Sequence, residues 1–213
     1  MPDLDTVTVV SGVPRSGTSL WMQMLAAGGH PVLEDADRPP DADNPRGYFE
    51  YTPVKSLRRD ASWLERARGC AVKVIHALVP ALPPGFDYRI VLVRRDLGEV
   101  LASQRVMLVR RGEPEWDLPE ARLAAVLRAQ LEELEAWVAA CPRAELHAVD
   151  YAGTLADPAA VARRVDAFLR GGLDVAAMAG VVDPALHRQR VATPPEPSIP
   201  VPTGGRSPRE PVR

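Results

Sequence analysis

The chain has 213 residues, enough for one domain with a sizeable buried core. Hydrophobic residues make up 46% and charged residues 25%, which excludes a disordered or membrane-embedded composition. A formal charge of −2 provides no overall basic field, so nucleic acid is not an expected partner. Strand and helix patterns alternate from the N-terminus, which predicts an α/β fold with a parallel sheet. Strands are expected over 6–11, 70–75, 88–93 and 145–149, from runs of β-branched and apolar residues. Helices are expected over 18–27, 54–66, 97–110, 120–139 and 159–170, with a shorter one over 175–182. The helix over 120–139 has the clearest pattern. Pro119 suits its first turn, and Leu123, Leu127, Leu131, Leu134 and Val138 recur at helical spacing as a packing stripe. Two segments read as irregular. The stretch over 34–51 is rich in Pro, Asp and Gly, and from Val191 onward seven prolines prevent regular structure. This gives a domain over 1–190 and a Pro-rich tail over 191–213, expected to be extended or disordered. Cys70 and Cys141 read as free thiols of a reducing compartment. The acidic N-terminus shows no signal peptide, and no apolar run has membrane length. A cytoplasmic protein without a membrane partner is the expectation. Oligomeric state stays open, a homodimer included.

The chemistry concentrates after the first strand, in Gly12-Val13-Pro14-Arg15-Ser16-Gly17-Thr18-Ser19. Strand, Gly-flanked turn and helix follow one another, and Gly12 and Gly17 have the glycine spacing of a P-loop. Such a turn wraps an anion with backbone N–H groups at a helix N-terminus. Thr18 stands where the P-loop lysine would reach the β- and γ-phosphates, and Arg15 sits inside the loop instead. The loop therefore suits an anionic group other than a triphosphate. Ser16, Gly17, Thr18 and Ser19 supply donors, and the same groups would cap an ordinary helix. Further along, Asp96 and Glu99 form a capping-box pattern that starts a helix just after Arg95 and puts Ser103 about two turns in. Lys73 is unusual on an apolar strand, because a buried ammonium needs a partner. A solvated strand face is the plain alternative.

The loop PRSGTS resembles the 5′-phosphosulfate loop of sulfotransferases that use 3′-phosphoadenosine 5′-phosphosulfate (PAPS). Arg95 and Ser103 match the family's 3′-phosphate pair in spacing, and Lys73 lies on the strand that carries a sulfonate-contacting lysine in many members. Val149-Asp150-Tyr151, followed by Leu155 to Pro158, is similar to a strand-to-helix junction common in these enzymes. The matches occur in the family's order and span roughly residues 6 to 170. Arg15 in place of lysine looks more like the bacterial and tyrosylprotein branches. Leu20 stands where cytosolic members have an adenine-stacking Trp, so Trp21 does not inherit that role. The closing Gly-rich basic segment has only a faint echo in Gly204-Gly205-Arg206.

The resemblance implies a three-layer P-loop-like sulfotransferase fold and a PAPS co-substrate that leaves as 3′,5′-ADP. It implies no metal, since the transferred sulfuryl group carries less charge than a γ-phosphoryl. Arg15 is expected to face the bridging oxygen, Lys73 the sulfonate, and Arg95 with Ser103 the 3′-phosphate. The general base is open. Glu34 is the first choice, placed like the catalytic glutamate of the tyrosylprotein branch, with Asp35 adjacent. His76 resembles the Lys-x-His of cytosolic members with one extra residue, which turns it to the other strand face unless the strand has ended. Glu50 is a further candidate. Asn44 to Tyr51 and Trp63 are candidates for shaping the acceptor pocket, and His187, Arg188 and Arg190 form a late basic cluster. The acceptor is a small molecule or a peptide. A P-loop kinase is the competing reading. It would need a lysine at Thr18 and an acidic magnesium ligand at the end of the strand, where Arg94 and Arg95 stand. A catalytically silent nucleotide-binding protein is the third.

Overall fold

The computed structural model describes residues 5–35, 37, 39–41, 44, 46–183 and 185. A five-stranded, all-parallel sheet organises them: β1 (Thr6–Gly12), β2 (Val32–Leu33), β3 (Ala71–Lys73), β4 (Asp87–Arg94) and β5 (Ala144–Asp150), in the order β2-β3-β1-β4-β5. The central strand β1 is buried along its whole length, as its Thr-Val-Thr-Val-Val run requires when helices cover both faces. Alternation sorts the side chains. Val7, Val9, Tyr88, Ile90 and Leu92 enter one core, while Val10, Val91 and Val93 enter the other.

Helices complete the outer layers. The second core packs Trp21, Met22, Met24 and Leu25 from α1 (Thr18–Ala27) against Val161 and Val165 from α6 (Pro158–Phe168) and Met178 from α7 (Val175–Gly180). All four α1 side chains are completely buried, worth about 2 kcal/mol each. The first core is closed by Leu64 and Ala67 from α2 (Leu64–Ala67) and Leu134 from α4 (Glu120–Ala140). Between them run α3 (Leu97–Arg111) and the short α5 (Tyr151–Ala156). This is the α/β parallel sheet expected from the alternation of elements, in the three-layer arrangement that the resemblance implies.

Some local expectations change. The single helix over 54–66 is a 3-10 turn, Thr52–Ser56, followed by α2 alone. Asp60 breaks the run: its carboxylate accepts the Ser62 N–H at 2.9 Å, an Asx turn that competes with helical bonding. The strand over 70–75 shortens to β3, because residues from His76 enter a 3-10 turn containing Pro80. The junction after β5 holds two helices. Asp150 caps α5 through Gly153 N–H, and Asp157 ends α5 and caps α6 through Ala160 N–H. Cys70 and Cys141 are free thiols. No helix among the described residues is long and apolar enough to cross a membrane. The Pro-rich segment from 191, with Gly204 to Arg206, and the basic residues His187, Arg188 and Arg190 lie outside the described residues.

β1 has β3 on one side and β4 on the other, so the chain's direction of winding reverses around it. In open α/β sheets the crevice beyond the carboxyl ends of the strands at such a reversal is where ligands bind. Here that crevice receives the Gly12–Gly17 loop.

Candidate active site

The loop is tight, and its glycines have steric reasons. A Cβ on Gly12 would come within 2.4 Å of Ser16 Oγ and 2.7 Å of the Val93 carbonyl, so only glycine lets β1 end against β4. Gly17 has φ +108, and its Cβ would meet the Tyr151 ring at 2.5 Å. Ser16 N–H donates to the Val13 carbonyl at 2.9 Å and closes the turn. Gly17 then starts α1 with no side-chain cap and no acidic residue in the first turn. By contrast, aspartates Asp96, Asp150, Asp157 and Asp174 cap α3, α5, α6 and α7. The first-turn N–H groups of any helix lack intrahelical acceptors. At α1 they open, with Gly17, Thr18 and Ser19, onto a cleft of about 340 Å³.

Cations dominate that cleft. Among the described residues its lining holds Arg15, Arg46, Lys73, Arg95, Arg110 and Arg111 against only Glu50 and Asp183, a formal +4 in a chain of −2. With the α1 dipole pointing the same way, the site is built for an anion.

Two hydrogen-bonded groups hold three of these cations, Arg15, Arg95 and Lys73, in place. The first joins the loop to β4 and α3. Arg15, with φ 78, turns its guanidinium toward α3, where Nε donates to Ser103 Oγ at 3.1 Å. Arg95 donates to the Arg15 carbonyl at 3.0 Å and to Glu99 at 2.9 Å, and lies over the Tyr151 ring with its guanidinium carbon 4.5 Å from the centroid. The second group joins α1 to β3. Lys73 Nζ donates to Ser19 Oγ at 2.9 Å and to the Tyr48 carbonyl at 2.6 Å, and Asn44 Nδ2 donates to the same Ser19 oxygen at 2.8 Å. Tyr48 is itself anchored, its hydroxyl donating to Asp41 at 2.7 Å. Burial pushes the Tyr151 phenol above its ordinary range, while the Arg95 charge works against that rise. Tyr151 is therefore a neutral platform beneath Arg95 at physiological pH.

The fold brings Arg15, Gly17, Thr18, Ser19, Lys73, Arg95 and Ser103 to one cleft. It does not bring Ser16 there. The Ser16 hydroxyl is buried beneath the loop, with no hydrogen-bond partner among the described residues, and its N–H is spent on the turn. Arg15, expected to face the bridging oxygen, has its guanidinium Nε bonded to Ser103 Oγ. The base candidates separate clearly. Glu34 is exposed and does not line the cleft. Asp35 is committed to the 3-10 turn, accepting Thr52 N–H at 2.5 Å and the Thr52 hydroxyl at 3.3 Å. Burial pushes its carboxyl up, but bonds from Thr52 and Asp37 with the Lys55 charge outweigh this and hold it below the usual range. His76 follows a strand that has already ended. It is buried against α4, with Nε2 2.8 Å from Gln130 Oε1, and does not reach the cleft. Glu50 does line the cleft, with Lys55 Nζ 3.8 Å from its carboxylate. Trp21 is core, and Leu20 takes the cleft-facing place beside it. Trp63 is core as well.

Glu99, Tyr151 and the Tyr48 carbonyl are parts of the site that residue chemistry alone did not reveal. Glu99 read only as a capping residue, although its spacing of four from Arg95 is that of a helix ion pair. A backbone carbonyl leaves no trace in a sequence.

No family model matches the chain, and no curated protein sequence matches it. Among solved structures it is similar to the sulfotransferase domain of the Synechococcus PCC 7002 olefin synthase. The TM-score is 0.52 and the identity 16%, over 92% of this chain and 90% of that one. At this identity the likeness establishes a shared fold: a parallel sheet flanked by helices, as in that sulfotransferase domain.

Proposed function

We propose that this chain, folded as a sulfotransferase domain, is an enzyme that moves a sulfuryl group from PAPS to a hydroxyl or amine. In that reaction the acceptor atom bonds to sulfur as the bond from sulfur to the 5′-phosphate oxygen breaks. The acceptor proton passes to a base, and 3′,5′-ADP leaves. The observation that carries this reading is the convergence of the α1 N-terminus, Lys73 and the Arg15–Ser103–Arg95 group on one cationic cleft.

Backbone donors of Gly17, Thr18 and Ser19 receive the 5′ anionic group. Lys73, fixed by Ser19 and the Tyr48 carbonyl, supplies positive charge where the leaving oxygen gains electrons. Arg95 and Ser103, with the Arg15 guanidinium beside them, hold the 3′-phosphate, the group that distinguishes PAPS from ATP. Glu50 takes the acceptor proton, because it is the carboxylate among the base candidates that lines the cleft.

The test is transfer of labelled sulfate from PAPS to a mixture of small alcohols, phenols and amines, with and without a chelator. The expected result is labelled ester or sulfamate with stoichiometric 3′,5′-ADP, unchanged by the chelator. Hydrolysis of Mg-ATP without use of PAPS would overturn the reading.

A further inference from the structure

Two cations of the cleft have no part in the donor roles and sit apart from the residues that do. Arg110 and Arg111 occupy the last turn of α3 and line the same cleft as Ser103. At about 1.5 Å per residue they lie roughly 11–12 Å beyond Ser103 along the helix axis. Both are exposed, whereas Ser103 is buried, which puts them at the outer rim of the cleft. Between the two levels α3 presents Val106 and Met107 to the cleft, on the face that also carries Ser103 and Arg110. Ile75 lines the same cleft, two residues after Lys73. Ile75 is 42% exposed, one of the few exposed large apolar residues among the described residues and, of these, the one that lines the cleft.

Resting on the sulfotransferase reading, we infer that the acceptor is an amphiphile. Its hydroxyl or amine lies near Lys73, its apolar body runs along Ile75, Val106 and Met107, and an anionic group (a carboxylate or phosphate monoester) is held at the rim by Arg110 and Arg111. Small-molecule sites are mostly apolar with a few polar groups that fix orientation, and this half of the cleft has that form. Basic residues in the last turn also complement the helix dipole. That role alone does not require them to line the cleft, and it predicts no acceptor discrimination.

The experiment has two arms. Calorimetric titration with 3′,5′-ADP is made on the wild type and on Arg110→Ala/Arg111→Ala. Turnover of PAPS is then measured with 10-hydroxydecanoate, its methyl ester and 10-hydroxydecyl phosphate. The inference expects 3′,5′-ADP affinity within about twofold in both proteins. It expects a KM for the anionic acceptors about tenfold or more below that of the ester in the wild type. This difference should collapse in the variant, about 1.4 kcal/mol per tenfold. The better of the carboxylate and the phosphate identifies the anion. An ester used as well as the acids, discrimination that survives in the variant, or 3′,5′-ADP binding with no turnover of any of the three would overturn the inference. Loss of 3′,5′-ADP binding in the variant would move Arg110 and Arg111 to the donor and overturn it too. Failure of the wild type to bind 3′,5′-ADP would instead overturn the sulfotransferase reading itself.

Discussion

Replacing Arg95 with alanine tests both the architecture of the site and its chemistry. The Arg95 and Glu99 side chains are only 8% and 12% exposed, so this pair is not a screened surface bridge. Arg95→Ala removes the cation bonded to the Glu99 carboxylate in a largely dry place, removes a donor from the Arg15 carbonyl and takes the guanidinium from the Tyr151 ring. Breaking such a pair from one side costs about 3–5 kcal/mol, and the cation–π contact about 0.5–2 kcal/mol in addition. The contributions overlap, so about 3 kcal/mol is expected for the whole. In urea that is a fall in the unfolding midpoint of about 1–1.5 M for a slope of about 2–3 kcal/mol per M. Arg95→Ala/Glu99→Gln removes the buried carboxylate charge as well and should recover about half of the loss. Neither variant should bind 3′,5′-ADP within about 100-fold of the wild type, a difference of about 2.7 kcal/mol. Stability and binding then separate in the double variant, which is more stable than the single one yet still fails to bind. A single variant that loses less than about 1 kcal/mol, or a double variant no more stable than the single one, would refute the buried-pair reasoning.

Gly17→Ala should lower stability by about 1–3 kcal/mol, since alanine is strained at φ +108 and its methyl meets the Tyr151 ring; the melting temperature and 3′,5′-ADP affinity should fall together. Glu50→Gln should reduce kcat by about 100-fold or more while leaving 3′,5′-ADP affinity unchanged, whereas Glu34→Gln should alter neither; the reverse pattern would return the base to Glu34. Asp35 has a folded pKa held below its ordinary value of 3.8, so its stabilisation is present above that value and is lost as pH falls through the folded one. Thermal melts between about pH 5 and pH 2 should therefore show a shallower acid loss in Asp35→Asn than in the wild type. Equal slopes would mean that the Asp35–Thr52 bonds contribute nothing.

Much of the fold was legible because its signals are local. Helices α1, α3 and α4 follow from apolar periodicity and end within a residue of expectation, since each has one buried face and a clear start. The segment over 54–66 misled for the opposite reason: its apolar spacing is helical, but a single Asp60–Ser62 bond interrupts it. β2 has only two residues and leaves no periodic pattern to read. At the site, Arg15 was visible from its place inside the Gly12–Gly17 loop and Lys73 as a charge on an apolar strand, whereas Arg95 and Ser103 were picked out by the sulfotransferase resemblance, which also supplied the roles. The choice among Glu34, Glu50 and His76 was not visible. It depends on where β3 stops and on the path of residues 34 to 51, which are settled by tertiary contacts such as Lys73 to the Tyr48 carbonyl. Ser16 shows the same limit at a smaller scale, because one turn bond decides whether its N–H faces a ligand or the Val13 carbonyl.

The central claim is that this cleft holds a 3′-phosphorylated adenine nucleotide. Calorimetric titration of the wild-type chain with 3′,5′-ADP, 5′-AMP and Mg-ATP tests it most directly. The account predicts tight binding of 3′,5′-ADP and affinity at least about 100-fold weaker for the other two, because only the first reaches Arg95 and Ser103 through a 3′-phosphate. Equal affinity for 5′-AMP, or a preference for Mg-ATP, would contradict it.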